Sequence, residues 1–225
     1  MRVFVIAAHP DDEVLGCGAT VSRLAKESND IFVAILGEGI TSRYLKREDA
    51  NLNLVKSLKK KTEMVKNLLG AKEFFFSDFP DNRFDTVSLL DVVKKIERWI
   101  DRLKPDIIFT HSAHDLNIDH IITHRAVITA TRPFKNCPVK EIYTFEISSS
   151  TEWAFGEFGS FKPSVFFNIE NTIDLKINAM ETYDSEVREF PHPRSKEAIR
   201  NLARSWGSVV GVEYAEAFET VRRVL

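Results

Sequence analysis

Cysteine is scarce in this 225-residue chain; the only two, Cys17 and Cys137, stand far apart and form no metal-ligand pattern. Few cysteines and no signal peptide fit a reducing compartment, so a cytoplasmic protein is expected. Charge of one sign is lacking as well. A formal net charge of −2 argues against a polyanion such as nucleic acid as partner. The one dense basic run, KSLKKK at 56–61, lies inside a helical pattern of Leu54, Val55, Leu58, Val65, Leu68 and Leu69 and reads as a solvated face. Long apolar runs are missing too: Val3 to Ala8 gives way to charges, too soon for a membrane span or a signal peptide. No repeat, low-complexity segment or linker divides the chain. With 44% hydrophobic residues, it is expected to form one domain over 1–225 with a sizeable core.

What is present is an alternation. Short β-rich runs (RVFVIAA at 2–8, DIFVAILG at 30–37, EFFFSDF at 73–79, DIIFTH at 106–111) are separated by helical patterns near 14–27, 48–69 and 88–104. Leu89, Val92, Val93, Ile96, Ile100 and Leu103 line one face of the third, which Pro105 stops. A helix near 119–131 follows, then strands at 139–148 and 164–169 and helical patterns near 173–184 and 195–206. Continuous apolar strands alternating with helices predict an α/β fold, a Rossmann-like open and mostly parallel sheet with helices on both faces. Ligands of such sheets collect at the carboxyl ends of the strands. The polar residues gather there: HPDDE after the first strand, GEGITSRY after the second, PDNRFD after the third, HSAHDLNIDH after the fourth.

Three consecutive acids, Asp11, Asp12 and Glu13, directly follow a buried-looking strand. Crowded carboxylates repel and lose hydration, so a positive group is expected among them. Five of the six histidines lie at two of these strand ends: His9 at one, His111, His114, His120 and His124 at the other. Imidazole and carboxylate together suit a divalent transition metal, and His9, a following aspartate and a histidine of the fourth loop supply three ligands with one position open. Glu13 reads as an acid favouring a helix N-terminus. Gly16 and Gly18 do not complete a phosphate-binding glycine loop and read as close helix packing.

The segment AHPDDE at 8–13, with Asp119-His120 far downstream and FPDNRFD, HDLNIDH, SSTEW and PHPRS along the chain, resembles the PIG-L (LmbE-like) deacetylases, in the subgroup with an N-x-D-H second motif. The resemblance implies Zn²⁺, one per chain (Fe²⁺ or another divalent ion being the alternative), bound by His9, Asp12 and His120. It implies Asp11 as general base, on the expectation that neighbours in an extended loop point different ways. It further implies removal of the acetyl group from an N-acetylglucosamine-type sugar or glycoconjugate. Many members carry a histidine three residues before the last zinc ligand, where it steadies the oxyanion; this chain has Asn117, which donates a hydrogen bond but carries no charge. His192 or His114 is therefore expected to take that part, with Asp119 orienting its neighbours.

For the substrate, Arg43, Arg83 and Arg194 offer guanidinium groups, and Asp81, Asn82 and Asp85 offer partners for hydroxyls. Asp81-Asn82-Arg83 also reads as a simple turn; His111 and His114 read either as residues that orient the metal ligands from behind or as plain loop residues, and His124, one turn after His120, either as facing the metal site or as an ordinary helix position. Trp153 reads either as core or as a sugar neighbour. Two rivals stay open: a non-haem iron enzyme, since His9-Pro10-Asp11 with a distant histidine also fits H-x-D…H, and a non-catalytic sugar-binding relative. A nucleotide-dependent enzyme ranks last for want of a glycine fingerprint. Homo-oligomerisation is left open by the sequence.

Overall fold

The computed structural model describes residues 1–224. Seven strands form one sheet: β1 (Arg2–Ala7), β2 (Asp30–Gly37), β3 (Glu73–Phe79), β4 (Ile107–His111), β5 (Glu141–Phe145), β6 (Val165–Asn168) and β7 (Ala215–Arg223), in the order β3-β2-β1-β4-β5-β7-β6. The five from β3 to β5 are parallel, and β7 and β6 continue the sheet antiparallel. Helices α1 (Asp12–Lys26), α2 (Leu52–Leu69), α5 (Ile173–Thr182) and α6 (Lys196–Val210) cover one face; α3 (Leu89–Leu103) and α4 (Ile118–Ala130) cover the other.

The strands alternate accordingly. Val3 and Val5 pack under α1, whereas Phe4 and Ile6 pack under α3 and α4, and all four are fully buried. This is the apolar-on-both-faces strand that a doubly covered sheet requires. In register, Val5 of β1 lies between Val33 of β2 and Phe109 of β4. The order of strands turns at β1 and β4, so the loops after these two strands open away from each other and leave a crevice between them.

β7 is the element the sequence pattern does not announce. Its AEAFETVRR has little β-branched or aromatic content, and its place between β5 and β6 overrides that weak propensity. It carries a buried carboxylate with a job in α1. At Cys17 that helix departs from helical geometry, and Gly16 lies so close to Phe145 that a Cβ there would meet its ring at 2.3 Å. Glu216 of β7 accepts the freed N–H groups of Ala19 and Thr20 (3.2 and 2.6 Å), while Lys176 donates to Leu15 O and to Glu216 (2.7 and 2.6 Å). The backbone groups released by the break are thus satisfied.

No helix among the described residues is long and apolar enough to cross a membrane.

Candidate metal centre

The crevice between the β1 and β4 loops brings His9, Asp12 and His120 together, with one ligand atom from each within 4.8 Å of the others. His9 leaves the end of β1 and its backbone N–H donates to Asp12 Oδ2 at 2.8 Å. His120 sits in the first turn of α4, and its Nε2 lies 3.3 Å from the same Asp12 oxygen. That Nε2 is buried and has no hydrogen-bond partner. His9 Nδ1 is 3.3 Å from Asp12 Oδ2 on the other side. Two imidazole nitrogens and a carboxylate thus converge in a buried pocket, a donor set that suits a divalent ion and leaves a position for a further ligand.

Each imidazole is steered from behind by a carboxylate. His9 Nε2 donates to Asp119 Oδ2 at 2.9 Å, with Asp81 Oδ1 at 3.3 Å, which leaves Nδ1 as the free lone pair. Asp119 is itself held by the backbone N–H of Phe84 at 2.9 Å. Asp119 therefore serves His9, not the loop neighbours beside it in sequence. His120 has a different carboxylate: Asp115 Oδ1 stands 3.0 Å from its Nδ1. Burial raises the Asp115 carboxyl, but the His120 ring and the hydroxyls of Ser150 and Thr151 outweigh it and hold the group at about 2. Conversely, burial lowers His120 while Asp12 and Asp115 push it up to about 9. The sequence reading missed Asp115; its one signal was its place between two motif histidines in HDLNIDH, with SSTEW supplying its hydroxyl partners.

Behind the pocket His111 is fully buried, stacks on His120 with ring centroids 4.0 Å apart, and accepts the Ala8 N–H at 2.9 Å. His124 bonds the His111 carbonyl and so turns from the pocket.

Asp11 takes another direction from Asp12, but not through an extended loop. α1 begins two residues earlier than its apolar pattern suggests, so Asp12 and Glu13 occupy its first turn, and Asp11 precedes it with φ at 108°. This positive φ separates the two carboxylates. Asp11 Oδ2 accepts from Arg194 Nη1 at 2.7 Å, and Arg194 Nε donates to Ser149 Oγ at 2.7 Å. Burial pushes the Asp11 carboxyl well above its ordinary range, with Arg194 opposing and Asp12 and Glu186 reinforcing the rise. The guanidinium expected to meet substrate is thus already engaged with the second carboxylate.

The remaining expected residues are spread around the mouth. The cleft, about 120 Å³, is walled by His9, Asp12, His120, Asp81, Asn117 and Arg43 among others. Asn117 Oδ1 caps α4 by accepting the Asp119 N–H, and its Nδ2 donates to Asn82 Oδ1 at 2.9 Å. Asp81 accepts from the Ser42 backbone and hydroxyl. Arg43 is paired with Glu186 at 2.5 Å, and Glu186 is a second residue that no sequence signal singles out. Arg83 reaches the Leu45 carbonyl at 3.4 Å. His114 bonds the Phe158 carbonyl, and His192 packs against Trp153 with ring centroids 5.5 Å apart. Neither of these two histidines walls the cleft.

An open α/β sheet with a buried His-Asp-His group at its carboxyl edge defines an α/β protein with a candidate divalent-metal site. The chain belongs to the PIG-L family: the profile described as GlcNAc-PI de-N-acetylase matches residues 4–131. It is 24% identical to the diacetylchitobiose deacetylase of Thermococcus kodakarensis, over 98% of this chain and 83% of that one. It is 28% identical to a probable N-acetyl-alpha-D-glucosaminyl L-malate deacetylase of Bacillus cereus, over 83% and 84% of the two chains. In structure it superposes on the N,N'-diacetylchitobiose deacetylase of Pyrococcus horikoshii with a TM-score of 0.79 at 19% identity, covering 98% and 84%. The 4-carboxy-2-hydroxymuconate hydratase of Pseudomonas putida also superposes, with a TM-score of 0.75 at 20% identity over 100% and 97%. At such identities the likeness is one of fold, and this fold carries more than one reaction.

Proposed function

We propose that this chain hydrolyses the acetamido group of an N-acetylglucosamine-type sugar or related small glycoconjugate, yielding the free amine and acetate, with a divalent ion held by His9, Asp12 and His120 and zinc as the first candidate. The observation that carries this reading is the pair of unlike carboxylates: Asp12 between the two imidazoles, and Asp11 beside it but turned onto Arg194. The acetyl-sugar activities of the Thermococcus and Bacillus relatives support the choice of substrate class.

A bound dication supplies Lewis acidity and brings the pKa of water from about 15.7 to near 7. Asp11 takes the proton as water adds to the acyl carbon, then returns it to the nitrogen as the C–N bond breaks. Arg194 keeps that carboxylate aimed and limits the penalty of burying it. Asn117 Nδ2 has one hydrogen on Asn82 and a second free to meet the carbonyl oxygen. That assigns the oxyanion contact to Asn117 in preference to His192 or His114. Arg43, Asp81 and Arg83 are left to hold sugar hydroxyls or an anionic substituent.

The test is acetate release by the zinc-loaded protein from N-acetylglucosamine and N,N'-diacetylchitobiose. Asp11→Asn is expected to cost about 10²- to 10⁴-fold in kcat while zinc binding stays intact. Turnover that needs iron and oxygen would favour the H-x-D…H iron enzyme, and sugar binding without turnover would favour a non-catalytic relative.

A further inference from the structure

Glu13 is the acid of the 8–13 segment that neither holds the ion nor meets the substrate, yet it is completely buried. An acid that merely complements a helix dipole gains that benefit at the surface, where it keeps its hydration. Its two oxygens have definite partners. Oε2 accepts the backbone N–H of Asp11 at 3.0 Å, and Oε1 accepts the hydroxyl of Tyr183 at 2.7 Å. Tyr183, also fully buried, follows the last residue of α5. At the other end of this chain of contacts Asp11 has a φ of 108°, a conformation that is strained for a non-glycine residue and persists only when its surroundings enforce it.

We infer that Glu13 and Tyr183 are positioning residues for Asp11: the Tyr183 hydroxyl fixes the Glu13 carboxylate, which fixes the Asp11 amide in the positive-φ conformation that turns its side chain to Arg194 and away from Asp12. Rotation of φ to a negative value would swing the Asp11 amide away from Glu13 and re-aim the Asp11 carboxylate. The clamp acts on the backbone and touches none of the three residues proposed to hold the ion through its own carboxylate. It deepens the proposed function, since it rests on Asp11 as the group that takes the proton.

The test uses the zinc-loaded protein and three variants. Glu13→Gln keeps an acceptor for the Asp11 amide and a donor for the Tyr183 oxygen; Glu13→Met and Tyr183→Phe remove the carboxylate and the hydroxyl while keeping volume. In crystals, Glu13→Met is expected to show Asp11 at negative φ with its contact to Arg194 broken, and Glu13→Gln to keep both. With N-acetylglucosamine as probe, Glu13→Met is expected to lose about a hundredfold in kcat, Tyr183→Phe about tenfold, and Glu13→Gln less than threefold, with KM and zinc affinity unchanged, as for a misaimed reacting group. Asp11 holding its φ and its Arg194 contact in Glu13→Met overturns the inference, as does an equal kcat loss in Glu13→Met and Glu13→Gln. Should Glu13→Met fail to fold, the same two readouts on Tyr183→Phe decide, because that variant removes a single oxygen. A wild-type protein that releases no acetate from any N-acetyl sugar defeats the proposed function alone; the Asp11 geometry in the variants still judges the clamp.

Discussion

The floor and the rim of the cleft are built differently. On the floor, His9, Asp12 and His120 are buried, and each imidazole is backed by a buried carboxylate that has its own donors, the Phe84 amide for Asp119 and the Ser150 and Thr151 hydroxyls for Asp115. On the rim, Arg43 is 45% exposed and leans on one carboxylate. A floor of this kind holds its ligand atoms tightly because the carboxylates behind the imidazoles are themselves tied by buried hydrogen bonds, while His120 Nε2 is left without a partner and facing Asp12. A rim of exposed pairs fixes little, since such pairs are worth about 0–1 kcal/mol. Chemistry is therefore expected to be stiff and substrate choice adjustable.

The sharpest way to break that contrast is at the floor. His120→Ala is expected to abolish tight zinc binding, measured by competition with a chromogenic chelator. Asp115→Ala leaves all three ligands in place and should still weaken zinc by roughly 10- to 100-fold, because the imidazole loses its orienting carboxylate. A zinc affinity in Asp115→Ala equal to wild type would show that His120 is held by packing on His111 alone.

The same contrast governs what could be read from sequence. The strands and helices over the first 131 residues were legible because apolar period and stop signals coincide there, as at Leu89–Leu103 ahead of Pro105. His9, Asp12 and His120 were legible because motif residues sit at strand and helix ends, where topology brings them together. Asp115, Glu186 and Tyr183 were not, since their meaning lies in partners 5 to 170 positions away. The left-handed backbone at Asp11 was invisible too: Asp has no strong signature for it, and an N-terminal acid reads the same either way. β7 was missed because a strand clamped between two neighbours needs little propensity of its own.

A carboxylate outside the floor provides a control. Glu146 follows β5 and accepts from Trp206 Nε1 at 2.6 Å; among the described residues it has no ion pair like that of Asp11 with Arg194, and Lys176 acts on it only from a distance. Burial, reinforced by Glu152, raises its carboxyl to about 7 against the Trp206 hydrogen bond. Because the folded value lies above the unfolded one, ionisation costs stability as pH climbs through the interval from about 4.5 to 7, and the cost is constant above it. Glu146→Gln keeps an acceptor for Trp206 and removes that cost. It is expected to be about 1–2 kcal/mol more stable than wild type at pH 8 and equal at pH 4, by urea denaturation. A gain present equally at pH 4 would mean that packing, not charge burial, separates the two side chains.

The smallest expected effect lies at the rim and decides whether the division is real. Arg43 and Glu186 form an ion pair across the cleft, and Arg194 Nη1 lies 3.7 Å from the other Glu186 oxygen. If Arg43 only helps seat the substrate, Arg43→Ala removes binding shared by ground state and transition state, which raises KM and leaves kcat alone. The expected rise is about three- to fivefold, in keeping with roughly 1 kcal/mol for an exposed guanidinium contact. Thermal stability should stay within the small shift expected of a surface pair. A tenfold fall in kcat with KM unchanged would carry the influence of Arg43 through Glu186 and Arg194 to Asp11, and the rim would then belong to the machinery of the floor.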